Sequence, residues 1–149
     1  MISTIAGHKV VVTMAPIVAN DDTEGAGVGV DRQGYGDVLL IAQQGISADT
    51  LSGSVYWSIK FQACDDNATW ALMDVADIEG AATATHVIDA AAEDPTTIVR
   101  LYRGGLRYVR IFWDATGTHT NGTPIAGVVV LGRPNYIPTT QPAELGTDV

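Results

Sequence analysis

The chain has 149 residues, 46% of them hydrophobic, enough to build one domain around its own core and too few for several domains. Its formal net charge is −9, from 17 acidic and 8 basic residues, a balance that repels nucleic acid and anionic membranes. Valine, isoleucine, threonine and glycine are plentiful while lysine and glutamate are scarce, a strand-forming rather than helix-forming composition. Cys64 is the single cysteine, which excludes an intrachain disulfide.

In chain order, MISTIAGHKVVV lacks a basic segment followed by a long apolar core, so no secretory signal is expected. No apolar run reaches the length of a bilayer span. Residues 1–8 are expected to form an arm. Residues 9–18 read as a strand with Val10, Val12 and Met14 on one face, and Pro16 marks an edge, a bulge or an end. The segment 20–36, NDDTEGAGVGVDRQGYG, holds five glycines and clustered acids and is expected to be a long loop without a regular element. Its GAGVG is read as a flexible loop, not a phosphate-binding turn. Asp21, Asp22, Glu24 and Asp31 would repel phosphate, and no helical pattern follows.

Residues 37–43, DVLLIAQ, are apolar on both faces, as a central or interface strand is. Residues 55–64 alternate cleanly: Val55, Trp57, Ile59, Phe61 and Ala63 point one way, and Tyr56, Ser58, Lys60 and Gln62 the other. Cys64 ends that strand as a small core residue. Asp65-Asp66-Asn67 opens a tight turn, after which Trp70 begins a short strand to about Val75. A strand over 86–90 and a single helical turn over 90–94 precede Pro95. Residues 97–103 and 106–113 flank Gly104-Gly105, which reads as a primed hairpin turn. In that register Tyr102 opposes Arg107, Arg100 opposes Val109 and Ile98 opposes Ile111. Arg100 and Arg107 then share one face, and Arg103 and Arg110 share the other with Tyr108 and Phe112. Asn121-Gly122 signals another turn, 125–131 is the last core strand, and 133–149 carries Pro134, Pro138 and Pro142 as an extended tail. About eight strands separated by turn signals predict an all-β, single-domain β-sandwich over 9–132, in the jelly-roll arrangement.

His8, His86 and His119 fall on different elements without ligand spacing. The clusters Asp65-Asp66-Asn67 and Asp21-Asp22-Glu24 lack the spaced carboxylates of a calcium loop. There is no G-x-S-x-G elbow, and Cys64 has no histidine near it in sequence. No metal, cofactor or catalytic activity is expected. The unusual feature is that Arg100, Arg103, Arg107 and Arg110 make up half of all the positive charges. They either pair with the chain's own aspartates on a solvated face or, mixed with tyrosine, phenylalanine and tryptophan, form an interface. The partner-contact candidates are Arg100, Arg103, Arg107, Arg110, Tyr108, Arg133 and Tyr136, together with the arm, the 20–36 loop and the tail.

Two blocks carry a family resemblance. Residues 102–134, YRGGLRYVRIFWDATGTHTNGTPIAGVVVLGRP, follow the pattern Y-x-G-G-x-R-Y-hydrophobic-R, then T-G-T-H-T-x-G-T-P, then an apolar strand ending L-G-x-P. Residues 61–73, FQACDDNATWALM, supply a strand, an acidic turn and a tryptophan. Both blocks resemble a group of small tailed-phage virion proteins. The resemblance implies a decoration or cement protein on the capsid surface, made in the host cytoplasm. Its implied partners are the major capsid protein and further copies of itself, as a dimer or trimer, with no nucleic acid and no membrane. The strand–turn–Trp element also occurs in galactose-binding-like sandwiches, so a carbohydrate-binding module is the alternative.

Overall fold

The computed structural model describes residues 7–79 and 81–135. Ten strands among them form two antiparallel sheets. Sheet A runs β1 (His8–Ala19), β10 (Thr123–Pro134), β3 (Tyr35–Gln44), β8 (Thr96–Tyr102) and β6 (Ile78–Glu79). Sheet B runs β2 (Val30–Asp31), β9 (Tyr108–Thr116), β4 (Tyr56–Cys64) and β5 (Ala71–Leu72), with β7 (Thr85–Ile88) also on β4. The pairs β1–β10, β2–β9, β3–β8 and β4–β7 nest inside one another along the chain. That nesting is the jelly roll, and the expected all-β sandwich stands.

Alternation builds the core. Trp57, Ile59 and Phe61 of β4 and Val109, Ile111 and Trp113 of β9 point inward, against Val38 and Leu40 of β3 and Val129 and Leu131 of β10; all are 0% exposed. The tight turn forms as expected. Asp66 Oδ1 accepts the Ala68 and Thr69 N–H groups at 2.9 and 2.7 Å, and Asn67 takes the left-handed conformation at φ 55°. The strand expected from Trp70 to Val75 shrinks to Ala71–Leu72, followed by a 3-10 turn at Val75–Asp77.

The hairpin expected around Gly104-Gly105 does not form. β8 pairs with β3 in one sheet and β9 with β4 in the other, so the two glycines cross between sheets. Arg100 lies beside Leu40, and Val109 lies between Ala63 and Val30. Neither glycine adopts the positive φ of a primed turn. Gly104 serves close approach instead: a Cβ there would collide with the Tyr102 hydroxyl and the Asp77 carboxylate.

Two further expectations change. A register shift between Val12 and Met14 in edge strand β1 turns Met14 inward to 8% exposure, while Val12 stays outside. The 20–36 segment is not a plain loop. It carries one helical turn, α1 (Asp22–Gly25), capped by the Asp21 side chain, and then β2. Gly27 N–H donates to Ile111 O at 3.1 Å and Val28 N–H to Thr13 O at 2.7 Å, so the segment bridges the two sheets. A Cβ on Gly25 or Gly27 would strike the β9 backbone at Trp113 or Ile111. These glycines lay a backbone flat on a strand, while Asp21, Asp22 and Asp31 to either side are exposed.

Candidate functional site

The arginines singled out by sequence go to four places. Arg100 points between the sheets, its guanidinium 5.4 Å from the centre of the Phe61 ring. Burial lowers its pKa, and its Nε is buried without a hydrogen-bond partner. Arg103 and Arg133 converge on Asp37 at one end of sheet A: Arg133 Nε and Nη2 bind the carboxylate at 2.5 and 2.7 Å, and Arg103 Nε lies at 3.8 Å. Arg103 also pairs with Glu79 at 2.5 Å. Arg107 forks onto Asp31 at 2.6 to 3.2 Å and lies 5.0 Å from the Tyr108 ring. Tyr136 lies outside the described residues.

Arg110 heads a different arrangement. On β9 the residues Tyr108, Arg110, Phe112 and Asp114 alternate with the core set and face outward from sheet B. On β4 the outward residues Gln62, Lys60 and Ser58 stand directly opposite Arg110, Phe112 and Asp114. The Arg110 guanidinium is 4.4 Å from the Trp70 ring and 5.4 Å from the Phe112 ring, and its Nε donates to Gln62 Oε1 at 2.8 Å. Lys60 lies 6.0 Å from the other flank of Phe112 and pairs with Asp114. Cation and aromatic therefore alternate: Trp70, Arg110, Phe112, Lys60. Burial pulls the Arg110 pKa down, and among the described residues no carboxylate pairs with it. Sequence had grouped Arg110, Tyr108 and Phe112 on one face correctly. It missed Lys60, Gln62 and Trp70 as their neighbours, because the hairpin misreading assigned β9 to the wrong partner strand.

The outer face of sheet A is of another kind. Val10, Val130, Leu39 and Leu101 form one row across four strands. Val12, Val128, Ile41 and Val99 form the next. Beyond them lie Ala126, Gln43 and Thr97, then an apolar groove between Ile17, Val18 and Pro124. Asp37, Arg103, Arg133 and Glu79 close the opposite end.

The T-G-T-H-T-N-G-T-P signature is held from within. Asp49, in the turn after β3, accepts the backbone N–H groups of Thr120, Asn121 and Gly122 at 2.9 to 3.1 Å and the Asn121 side chain at 3.0 Å. His119 is 4% exposed and stacks on Trp57 at 4.5 Å between ring centres. Thr123 accepts the Trp57 indole N–H at 2.9 Å and donates to Ser47 at 2.8 Å. Nothing in the sequence marks Asp49, whose partners lie more than 70 residues away. In the 20–36 segment Asp22 accepts from the Ala115 N–H of β9, and Glu24 from the Asn20 N–H at 2.5 Å. No three His, Cys, Asp or Glu side chains converge as a metal-ligand set among the described residues.

These carboxylates set the acid limit of stability. Desolvation raises the Asp49 pKa, but the hydrogen bonds from Asn121, Gly122 and Thr120 together more than reverse it, so it lies below the ordinary value. The Arg107 side chain lowers Asp31, and the Thr69 hydroxyl and backbone lower Asp66. A carboxyl with a lowered folded-state pKa contributes stability above its unfolded value, near 4, which is lost as pH falls through the folded value. Asp49→Asn is therefore expected to lower the melting temperature at neutral pH and to shrink, not abolish, the drop in melting temperature on acidification below about pH 4. Thermal melts across that range check both.

No protein-family model matches the chain. No curated protein matches its sequence. Among solved structures, the chain is similar to the crystal structure of the SPBc2 prophage-derived protein YomS, with a TM-score of 0.51 and 12% sequence identity, over 89% of this chain and 99% of that one. At that identity the likeness is one of fold alone.

Proposed function

We propose that this chain is a structural virion protein that attaches to the outside of a phage capsid as a decoration or cement protein, using the outer face of sheet B. The observation that carries this reading is the Trp70–Arg110–Phe112–Lys60 ladder. Arginine flanked by aromatic rings is the mixture enriched at binding hot spots. Arg110 is desolvated and lacks a carboxylate of its own, so a capsid surface offering one would complete it with a charge-assisted hydrogen bond. The tailed-phage resemblance of residues 61–73 and 102–134 and the prophage origin of YomS favour the same setting. A cement protein needs a rigid core and a docking face, and no catalytic group.

The test is co-sedimentation with capsids that lack the chain. The protein is expected to sediment with them at moderate salt, and Arg110→Glu to abolish this. Arg107→Ala, whose own partner is Asp31, is expected to leave attachment intact. Absence of co-sedimentation by the unaltered chain refutes the reading. A sugar-binding role is disfavoured because Arg110 covers the Trp70 ring and Gly29 packs against its edge. Saturable binding on a glycan array would reinstate it.

A further inference from the structure

We propose that the outer face of sheet A is a self-association surface that packs against the same face of a second copy of this chain. The two outer faces of the sandwich differ in kind. Sheet B alternates as a solvated sheet does, with Lys60, Gln62, Arg110 and Asp114 outside and the core inside. Sheet A does not alternate: β3 and β10 put aliphatic side chains on both faces. The row Val12, Val128, Ile41 and Val99 contains no polar atom beyond backbone, and neither does the row beside it. Val12 is 53% exposed and Val99 45%, so these side chains stand in water in the single chain. A contiguous apolar face of that kind marks an interaction site.

The occupant follows from shape, size and charge. With strands about 4.8 Å apart and rows about 7 Å apart, the two apolar rows project roughly 270 Å², and the Ala126, Gln43 and Thr97 row with the Ile17, Val18 and Pro124 groove extends the face to roughly 500 Å². Side-chain relief brings its accessible area toward the about 800 Å² that each partner gives to a standard interface. The two rows are aliphatic and mostly β-branched, with the groove at Ile17, Val18 and Pro124 to one side, and such a twisted sheet fits another at the roughly 10 Å spacing of stacked sheets. On β1, β10, β3 and β8 the rows carry no charge, and Glu79, which continues the Leu101 row on β6, is paired with Arg103. The rim at Asp37, Glu79, Arg103 and Arg133 holds both signs in equal number, so a two-fold related copy meets no excess of like charge there. The cations at its rim, Arg103 and Arg133, already pair with Asp37 and Glu79, which leaves little to hold a membrane or nucleic acid.

The inference stands apart from the capsid reading, because purified protein alone tests it. Sedimentation velocity of the full chain, from low to several hundred micromolar, is expected to show a monomer–dimer equilibrium that persists in half-molar salt. Ile41→Lys is expected to weaken association roughly a hundredfold or more by burying an unpaired charge. Val99→Lys, near the sheet edge, repeats the test if Ile41→Lys fails to fold by circular dichroism. Phe112→Lys on sheet B is expected to leave the dimer unchanged. A chain monomeric throughout, or a dimer indifferent to both sheet A variants or dissolved by Phe112→Lys, overturns the proposal. So does a monomer that dimerises only after residues 136–149 are removed, which would give the face to the chain's own C-terminal segment.

Discussion

Trp57→Ala is expected to lower unfolding free energy by about 3–5 kcal/mol, the largest loss available from a single side chain here. Trp57 is 0% exposed at the centre of β4 and is one of the largest side chains in the core. Three separate things go with it. The core loses its apolar area and gains a cavity. His119 loses the ring it stacks on. Thr123 loses the indole N–H, at the head of a relay through Ser47 to Asp94, which also holds Gln44 at 3.0 Å. Trp57→Phe separates the packing from the relay: it keeps most of the area and is expected to lose only about 1–2 kcal/mol. Urea unfolding checks both, with a shifted midpoint and an unchanged slope. Since a domain of this kind holds about 5–15 kcal/mol in all, Trp57→Ala leaves a marginal fold. Equal losses for the two variants would mean that the hydrogen-bond relay, and not packing, dominates at this position.

The second large effect falls on an arginine that sequence passed over. Arg32 lies in the turn between β2 and β3. Its Nη1 donates to the carbonyls of Gly104 and Leu106, and its Nη2 to that of Tyr35 at 3.2 Å, with the guanidinium 5.5 Å from the Tyr102 ring. It ties one inter-sheet crossover to another. Arg32→Ala is expected to destabilise by about 2–4 kcal/mol, because partly buried carbonyls lose charged donors. Arg32→Lys is expected to recover less than half, since a single ammonium cannot span two sets of carbonyls. Arg107→Ala, which breaks an exposed pair with Asp31, is expected to move the midpoint hardly at all. Full stability in Arg32→Lys, with equal losses in Arg32→Ala and Arg107→Ala, would show that charge, not the fork geometry, is what matters at residue 32.

The contrast between Arg32 and Arg107 shows how far the sequence reaches. Period-two alternation placed 55–64 correctly, including which residues face the core, because that strand has one wet face and one dry one. The double-sided apolarity of 37–43 was legible as a central or interface strand, and β3 is central, between β10 and β8. The Gly104-Gly105 link was misread because a local turn signal was allowed to decide a pairing. The partners of β8 and β9 lie far along the chain, and each buries more with its own partner than with the other. The 20–36 segment was misread because glycines were taken as freedom, when here they permit contact. Arg32 and Asp49 act on backbone atoms remote in sequence, and no residue pattern announces a carbonyl or an amide in need of a partner.

The nested pairing has a kinetic consequence. Among the described residues β1 pairs with β10, so residues 8–19 wait for residues 123–134 before that edge of sheet A can close. The innermost pairs close first at low loop entropy, and the outermost pair closes the longest loop. Until then the Val-rich face of β1 has nothing to lie on. Folding is therefore set by a late, long-range encounter, and the growing chain must hold β1 apart from β10 while nearly all of the domain is made.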